Sequence, residues 1–185
     1  INASADVMGL NRIMQDGEIL EIAREGIAKY PSDAGLYVRP MMWSRDANAS
    51  TVMADPESSA FALCIEDLPM PAPDGISVTV TEFTRPMYAM APTNAKAACL
   101  YPNNARMLRS ARARGFDNAI SLDPLGNVAE TATSNIWMVK DGVAMTPAPN
   151  GTFLNGITRQ RVLKLLRGAG IEAIETTITP VSYTH

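Results

Sequence analysis

Histidine is almost missing from this chain of 185 residues, since His185 is the only one and is also the last residue of the sequence. Histidine is the side chain most often used as a general acid or base near neutral pH, and it is the commonest metal ligand. The sequence therefore argues against catalysis by a histidine base and against a histidine-rich metal site.

Cysteine is also scarce. Cys64 and Cys99 lie far apart and form neither a CxxC motif nor a zinc-binding spacing. We therefore expect reduced thiols in a cytoplasmic protein rather than a disulfide framework. The first residues are mixed and polar, unlike a secretory signal peptide, which agrees with that localisation.

Long hydrophobic runs and a large charge of one sign are absent as well. No apolar stretch approaches the roughly 20 residues that cross a bilayer. The formal net charge is −3, so neither a membrane nor nucleic acid is expected as a partner. The basic residues between Arg106 and Arg114 share a predicted helix with Met107, Leu108 and Ala111, which indicates a solvated face opposite an apolar stripe.

Apolar residues are plentiful and follow both helical and strand periodicities. The chain is 46% hydrophobic, which is typical of a globular protein with a core. The patterns predict a mixed α/β fold of the α+β kind. Predicted helices cover 17–29, 104–115 and 159–168, with Thr158 as the cap of the last, and predicted strands cover 34–43, 60–65, 76–83, 119–122, 135–139 and 171–178.

Two α/β units are expected to meet between Phe83 and Pro92, because the stretch between them follows the clearest strand and has no periodicity of its own. We predict a small N-terminal domain over 1–86, a linker over 87–91 and a larger C-terminal domain over 92–185. Lys140-Asp141-Gly142 predicts a hairpin turn in the second of these units.

Lys96 differs from the other lysines of the chain. Lys29 ends a predicted helix, Lys140 lies in a hairpin turn and Lys164 lies on an amphipathic helix, whereas Lys96 is surrounded by small apolar residues in NAKAACL. Partial burial there would favour the neutral amine, which is the nucleophile that Schiff-base chemistry needs. A surface lysine in a loop is the alternative and, on composition alone, the commoner case.

Two further elements have both a chemical and an ordinary structural explanation. Glu130 lies among small hydroxyl residues just before an apolar strand, where a simple turn carboxylate is the alternative. In the segment 155–159 (NGITR), a glycine followed by threonine at a helix start presents free backbone N–H groups and the positive helix end, which together bind phosphate well. A capped helix without a ligand is the alternative.

Together these elements resemble the branched-chain aminotransferase family, whose members are class IV pyridoxal phosphate enzymes of fold type IV. In that family a lysine is followed five residues later by a tyrosine, as Lys96 is by Tyr101. Residues 115–142 are similar to the family's G-x-x-x-A-x-x-L-D-x-x-G-x-x-x-E stretch, which continues with Asn, an apolar strand and Lys-Asp-Gly. Residues 146–159 resemble its "TP…L-x-G-I-T-R" and residues 36–40 its "Y-[IV]-R-P".

The resemblance implies pyridoxal 5'-phosphate as the cofactor and assigns roles around its ring. Lys96 would be the Schiff-base lysine and would afterwards move a proton between substrate and cofactor. Tyr101 would hydrogen-bond the 3′ oxygen. Glu130 would pair with the ring nitrogen and keep it protonated, because a protonated ring is the better electron sink.

The remaining implied roles concern the phosphate and the substrate. Ile157 and Thr158 would donate to the phosphate at the helix start, and Leu154 would pack on the ring face. The substrate side would be formed by Tyr37, by Arg39 as a partner for the α-carboxylate, and by the stretch that begins at Phe83.

The implied function is transamination of a branched-chain or other hydrophobic L-amino acid with 2-oxoglutarate, which gives the 2-oxo acid and L-glutamate. The family's members are usually homodimers or larger, so we expect self-association. Aminodeoxychorismate lyase, D-amino acid transaminase and amine transaminase share the class and are the alternatives, together with an inactive fragment of one of these enzymes. The Tyr37-Val38-Arg39-Pro40 strand favours the branched-chain group.

The sequence also departs from the family's pattern. A further phosphate-binding arginine would fall before Ile1, and a second phosphate-binding loop would follow the last predicted strand. Residues 181–185 do not resemble the family's continuation. We therefore expect both domains of the fold to be incomplete in this fragment, and we expect the fragment to hold the cofactor poorly.

Overall fold

A computed structural model describes residues 1–47 and 52–184, and the chain divides into two compact units, 1–74 and 75–185. In this division β3 (Val78–Thr84) and the predicted linker 87–91 belong to the second unit. The domain boundaries predicted at residues 86 and 92 stay predictions. Within the described residues no helix has the length and apolar character needed to cross a membrane.

The first unit is built around an antiparallel hairpin. Strands β1 (Leu36–Ser44) and β2 (Ser59–Asp67) pair without a register shift from end to end. Helix α1 (Asn2–Val7) precedes α2 (Asp16–Ile27), whose first turn is closed by a capping box between Gln15 and Glu18. The predicted helix and strands of this unit are confirmed, with ends shifted by one or a few residues.

A glycine allows α2 to lie close to the hairpin. A Cβ added at Gly26 would overlap the Cδ1 atom of Ile65 on β2. The Tyr30 hydroxyl, just beyond the helix, donates to the Ile65 carbonyl at 2.9 Å. The helix therefore approaches β2 at Ile65.

The second unit begins with a three-stranded sheet in the order β3-β4-β5. Strand β4 (Asn118–Leu122) lies parallel to β3 and antiparallel to β5 (Val128–Thr131), and helix α3 (Tyr101–Ala113) packs on one face. Contact across that face is made by a cluster of small and flexible side chains, Met107, Ala111, Ala119 and Ala132.

The rest of the second unit is a sheet in the order β6-β7-β8. Its strands are β6 (Met138–Lys140), β7 (Val143–Pro147) and β8 (Ala173–Thr176), with α4 (Ile157–Gly168) on one face and α5 (Pro180–Thr184) at the end. The predicted hairpin turn joins β6 to β7, with φ of 52° at Asp141 and 80° at Gly142.

The two sheets of this unit enclose an apolar layer between them. It contains Ile120 of β4 and Val128 of β5 together with Ile136 and Ile178, and Met145 of β7 packs against it. Leu163 of α4 fills a separate cluster on the outer face, against Ala144 and Ala173. The second unit is therefore layered as helix, sheet, sheet and helix.

Three local predictions were wrong. Strands β5 and β7 were not predicted, because each is short and carries threonine among its buried residues. The strand predicted over 135–139 begins only at Met138. Thr158 does not cap α4: Gly156 is the N-cap, and no side chain caps this helix.

Candidate active site

The second unit contains a buried carboxylate that contacts other polar side chains. Strand β5 carries Glu130, which is 8% exposed. Its Oε2 accepts a hydrogen bond from Asn135 Nδ2 at 3.1 Å, and its Oε1 lies 3.3 Å from Arg85 Nε. Burial raises the pKa of Glu130, while the positive charges of Arg85 and Lys96 oppose that rise. Such a carboxylate is suited to a cationic partner.

Arg85 reaches this carboxylate from the end of β3. It is 3% exposed, and its backbone N–H donates to the Leu122 carbonyl at 2.8 Å, next to the parallel partner strand. Its Nε donates to the Thr152 carbonyl at 3.0 Å and its Nη1 to Asn104 Oδ1 at 2.7 Å. The guanidinium is therefore held from several directions.

Lys96 lies in the turn region that precedes α3. It is exposed, whereas Ala95 and Ala97 on either side are 1% and 6% exposed. The predicted partial burial of Lys96 is therefore wrong, because the two alanines rather than the lysine face the interior. Thr93 anchors the turn by donating to the Gly151 carbonyl at 2.7 Å, and the charge of Lys96 is near enough to lower the pKa of Glu130.

Tyr101 and Phe83 take up different settings near the start of α3. Tyr101 is the first residue of the helix and is 53% exposed. Phe83 is half-buried against the α3 cluster, and the guanidinium carbon of Arg106 lies 4.3 Å from its ring centre. A groove of about 430 Å³ beside them is lined in part by Thr84 and Pro86.

The start of α4 is open to solvent. Ile157 is 86% exposed and Thr158 is exposed as well. The first N–H groups of a helix have no partner within the helix, and no side chain caps them here. A Cβ added at Gly156 would overlap Asn135 Oδ1, so a larger residue at this position would require the Asn135 side chain to shift. The open N–H groups and the helix dipole make an anion site of the kind that binds phosphate.

Asn135 connects this helix start with the buried carboxylate. Besides its bond to Glu130, its Nδ2 donates to the Leu154 carbonyl at 3.0 Å, and the Leu154 side chain is half-buried. Asn135 thus bonds both to strand β5 and to the segment that leads into α4.

A buried arginine fixes the first turn of α4 from below. Arg159 is 2% exposed and donates through Nη2 to the Pro147 carbonyl at 2.8 Å and to Glu175 Oε1 at 2.6 Å. Its Nη1 donates to Asn155 Oδ1 at 2.8 Å. These bonds hold the turn to strands β7 and β8.

Tyr37 and Arg39, the predicted substrate residues, lie on β1 of the first unit. Tyr37 is 46% exposed, and the guanidinium carbon of Arg39 lies 5.8 Å from its ring centre. Arg39 forms an exposed ion pair with Glu66 on β2, with Nη2 2.8 Å from Oε1. In the described residues no group of three or more histidine, cysteine, aspartate or glutamate side chains could hold a metal ion.

A sequence profile of the amino-transferase class IV family matches residues 1–182. The chain belongs to this family. Among solved structures, an aminotransferase from Brucella abortus bound to the cofactor PLP is 54% identical, with a TM-score of 0.97 over 100% of this chain and 66% of that one. The Escherichia coli branched-chain amino acid aminotransferase is 28% identical, with a TM-score of 0.87 over 98% of this chain and 61% of that one.

A curated member of the family from Rickettsia felis, named a probable branched-chain-amino-acid aminotransferase, is 31% identical over 172 residues. The alignment covers 93% of this chain and 59% of the relative, so the chain spans somewhat more than half the length of that relative. The predicted mixed α/β fold of the class IV aminotransferases is confirmed, and so is the resemblance drawn from the motifs.

The sequence placed Arg85 only within the stretch that borders the substrate and Asn135 only within a family motif, and it linked neither residue to Glu130. Arg85 follows the clearest alternating strand and Asn135 precedes an apolar one, but neither pattern shows which way the side chain faces. The limited space at position 156 also depends on Asn135, a residue 21 positions away. Contacts of this kind become visible only once the strands are placed.

Proposed function

We propose that this chain carries the cofactor-binding part of a pyridoxal phosphate-dependent aminotransferase. The reaction transfers the amino group of a branched-chain or other hydrophobic L-amino acid to 2-oxoglutarate. The products are the 2-oxo acid and L-glutamate. The names of the Escherichia coli and Rickettsia felis relatives support the substrate class.

One observation carries the proposal: Glu130 is linked through Asn135 to the segment that leads into the open start of α4, and Lys96 acts on Glu130 by its charge. Pyridoxal phosphate has a basic ring nitrogen, an aldehyde and a phosphate. The three sets of residues offer a buried carboxylate, an amine and free backbone N–H groups. The donor set therefore fits the cofactor, and the Brucella abortus relative is a structure with PLP bound.

When bound, the cofactor supplies an aldehyde that condenses with amines and a protonated ring that withdraws electrons. In our proposal Lys96 would hold the cofactor covalently, and its free amine would move a proton between the substrate Cα and the aldehyde carbon of the cofactor. Glu130 holds the proton on the ring nitrogen. Tyr101 donates to the 3′ oxygen.

The N–H groups of Ile157 and Thr158 bind the phosphate in this proposal, and Leu154 packs on the ring. Tyr37 and Arg39 contribute to the substrate site, where Arg39 would exchange Glu66 for the substrate carboxylate. Phe83 contributes through the stretch that follows it along the wall of the groove. We also propose a homodimer or larger oligomer, a cytoplasmic location, and a small N-terminal domain followed by a larger cofactor-binding domain.

The first experiment mixes the protein with pyridoxal phosphate, reduces it with borohydride and maps the peptides by mass. We expect a single pyridoxyl adduct on Lys96, in low yield because the fragment is expected to hold the cofactor poorly. Lys96→Ala should lose the adduct, whereas Lys140→Ala, in an exposed hairpin turn, should keep it. Labelling spread over Lys29, Lys140 and Lys164 without preference would contradict the proposal.

The second experiment measures glutamate formation from L-leucine and 2-oxoglutarate. Lys96→Ala should lower the rate at least about 10²–10⁴-fold, the typical contribution of a positioned proton-transfer group. Pyruvate release from aminodeoxychorismate, without glutamate formation, would instead assign the protein to the lyases of the class.

A further inference from the structure

Arg85 forms a buried ion pair with Glu130, and the proposed mechanism gives Arg85 itself no role. The side chains are 3% and 11% exposed, and Arg85 Nε lies 3.3 Å from Glu130 Oε1. A buried charge pair is costly to desolvate and is not in itself a good source of stability. Its presence next to a proposed cofactor ligand therefore calls for a chemical explanation.

The other partners of Arg85 are electrically neutral. Its Nε and Nη1 donate to the Thr152 carbonyl and the Asn104 side-chain oxygen, and these two acceptors fix the guanidinium without cancelling its charge. Glu130 is likewise held at its second oxygen by the neutral amide of Asn135. Glu130 is therefore the charged partner of the Arg85 guanidinium among these contacts.

We propose that Arg85 is a positioning residue that keeps Glu130 ionised in its buried setting, so that the proton between Glu130 and the ring nitrogen rests on the nitrogen. This inference rests on the function proposed above, in which Glu130 faces that nitrogen. It concerns a residue that does not itself contact the reacting atoms.

The physical reason is the position of the charges in the two protonation states. With the proton on the nitrogen, the carboxylate is negative and lies beside the guanidinium. With the proton on Glu130, that attraction is lost and burial favours the neutral acid. Burial raises the pKa of Glu130 and Arg85 lowers it, so removal of the arginine should shift the proton toward the carboxylate.

The first test needs no cofactor. Protein labelled with ¹³C at glutamate carboxyl carbons is titrated by NMR, and Glu130→Gln identifies the Glu130 signal. Arg85→Gln should raise the pKa of Glu130 by about one to three units, the usual effect of losing an adjacent opposite charge. Arg85→Lys should restore part of the shift. The matched control Arg109→Gln, on the exposed face of α3, should leave it unchanged.

An unchanged Glu130 titration in folded Arg85→Gln protein would overturn the inference. If that variant does not fold, Asn104→Ala replaces it, because it removes one of the two neutral acceptors that fix the guanidinium while both charges remain. A smaller rise in the pKa of Glu130 is then expected, and no rise would count against the proposal.

The second test uses pyridoxal phosphate labelled with ¹⁵N in the ring, whose NMR shift reports protonation of the nitrogen directly. We expect a protonated nitrogen in the parent protein and a loss of protonation in Arg85→Gln at the same pH. Equal protonation in both would overturn the inference. If the parent protein binds the cofactor too weakly for this measurement, the titration alone decides whether Arg85 controls Glu130, and the proposed function is tested separately by whether pyridoxyl labelling selects Lys96.

Discussion

In the second unit Met107 and Ile120 are at most 1% exposed, whereas the apolar residues of α2 in the first unit remain in contact with solvent, with Leu20 at 54%. Among the described residues of the first unit, the buried ones are Ala5, Ser58 and Ser59. The second unit gains its stability from apolar layers between its sheets and helices. The hairpin of the first unit depends more on backbone pairing. An amphipathic pattern therefore predicts a helix correctly without showing how much of it is buried.

The ion pairs of the two units also differ in exposure, and the pair in the second unit is the more buried. Arg39 and Glu66 in the first unit are 48% and 44% exposed, whereas Arg85 and Glu130 in the second are 3% and 11% exposed. Water and salt screen the first pair but hardly reach the second. The attraction between Arg85 and Glu130 is therefore little screened, whereas that between Arg39 and Glu66 is weak.

The largest expected difference lies in the cores. Met107→Ala should lower the free energy of unfolding by about 2–5 kcal/mol, because it leaves a cavity between α3 and the sheet. Leu20→Ala, on the exposed face of α2, should change it by about 0.5 kcal/mol or less. Urea unfolding measures both, and equal losses in the two variants would break the comparison.

A smaller effect is expected where backbone and side chain approach closely. Gly156→Ala should destabilise the protein by about 1–3 kcal/mol, since the added methyl overlaps Asn135 at the start of α4. Gly168→Ala, at the end of the same helix and with open space around it, should be neutral or stabilising by up to about 1 kcal/mol. Thermal unfolding distinguishes the two, and a stable Gly156→Ala variant would show that Asn135 can move aside.

The smallest effect is expected on the surface of the first unit. Glu66→Gln removes the partner of Arg39, yet the free energy of unfolding should stay within the error of measurement, because both groups are solvated. Guanidinium chloride and urea unfolding should agree on this, since screening by salt has little left to remove. A clear loss in urea alone would show that the pair is better shielded than its exposure indicates.

Local patterns predicted those parts of the fold that local patterns control. Periodicity located α2, α3, α4 and the strands β1 and β2, though not the pairing of these strands, and the Asp141-Gly142 turn was predicted correctly. Strands β5 and β7 were not predicted, because the alternation of apolar and polar residues in each is too short to be distinguished from a turn. Nothing local indicates that they are buried.

The candidate site was predictable in its motifs and not in its connections. Lys96, Tyr101, Glu130 and the start of α4 follow from the family's motifs, and their roles stay predictions. Arg85 donates a hydrogen bond to the carbonyl of Thr152, 67 positions away, so local sequence patterns could not predict this contact. The exposure of Lys96 was misjudged because small neighbours were taken as a sign that the lysine itself points inward.

Asn135 has a consequence for how the site can vary. Its side-chain NH₂ group donates one hydrogen bond to Glu130 and one to the Leu154 carbonyl. Its amide oxygen occupies the space where residue 156 would carry a side chain. Aspartate at this position has no proton to give, and glutamine is longer by one methylene. The Asn135 side chain thus sets the distance between the Glu130 carboxylate and the start of α4. Its replacement would change the position of both.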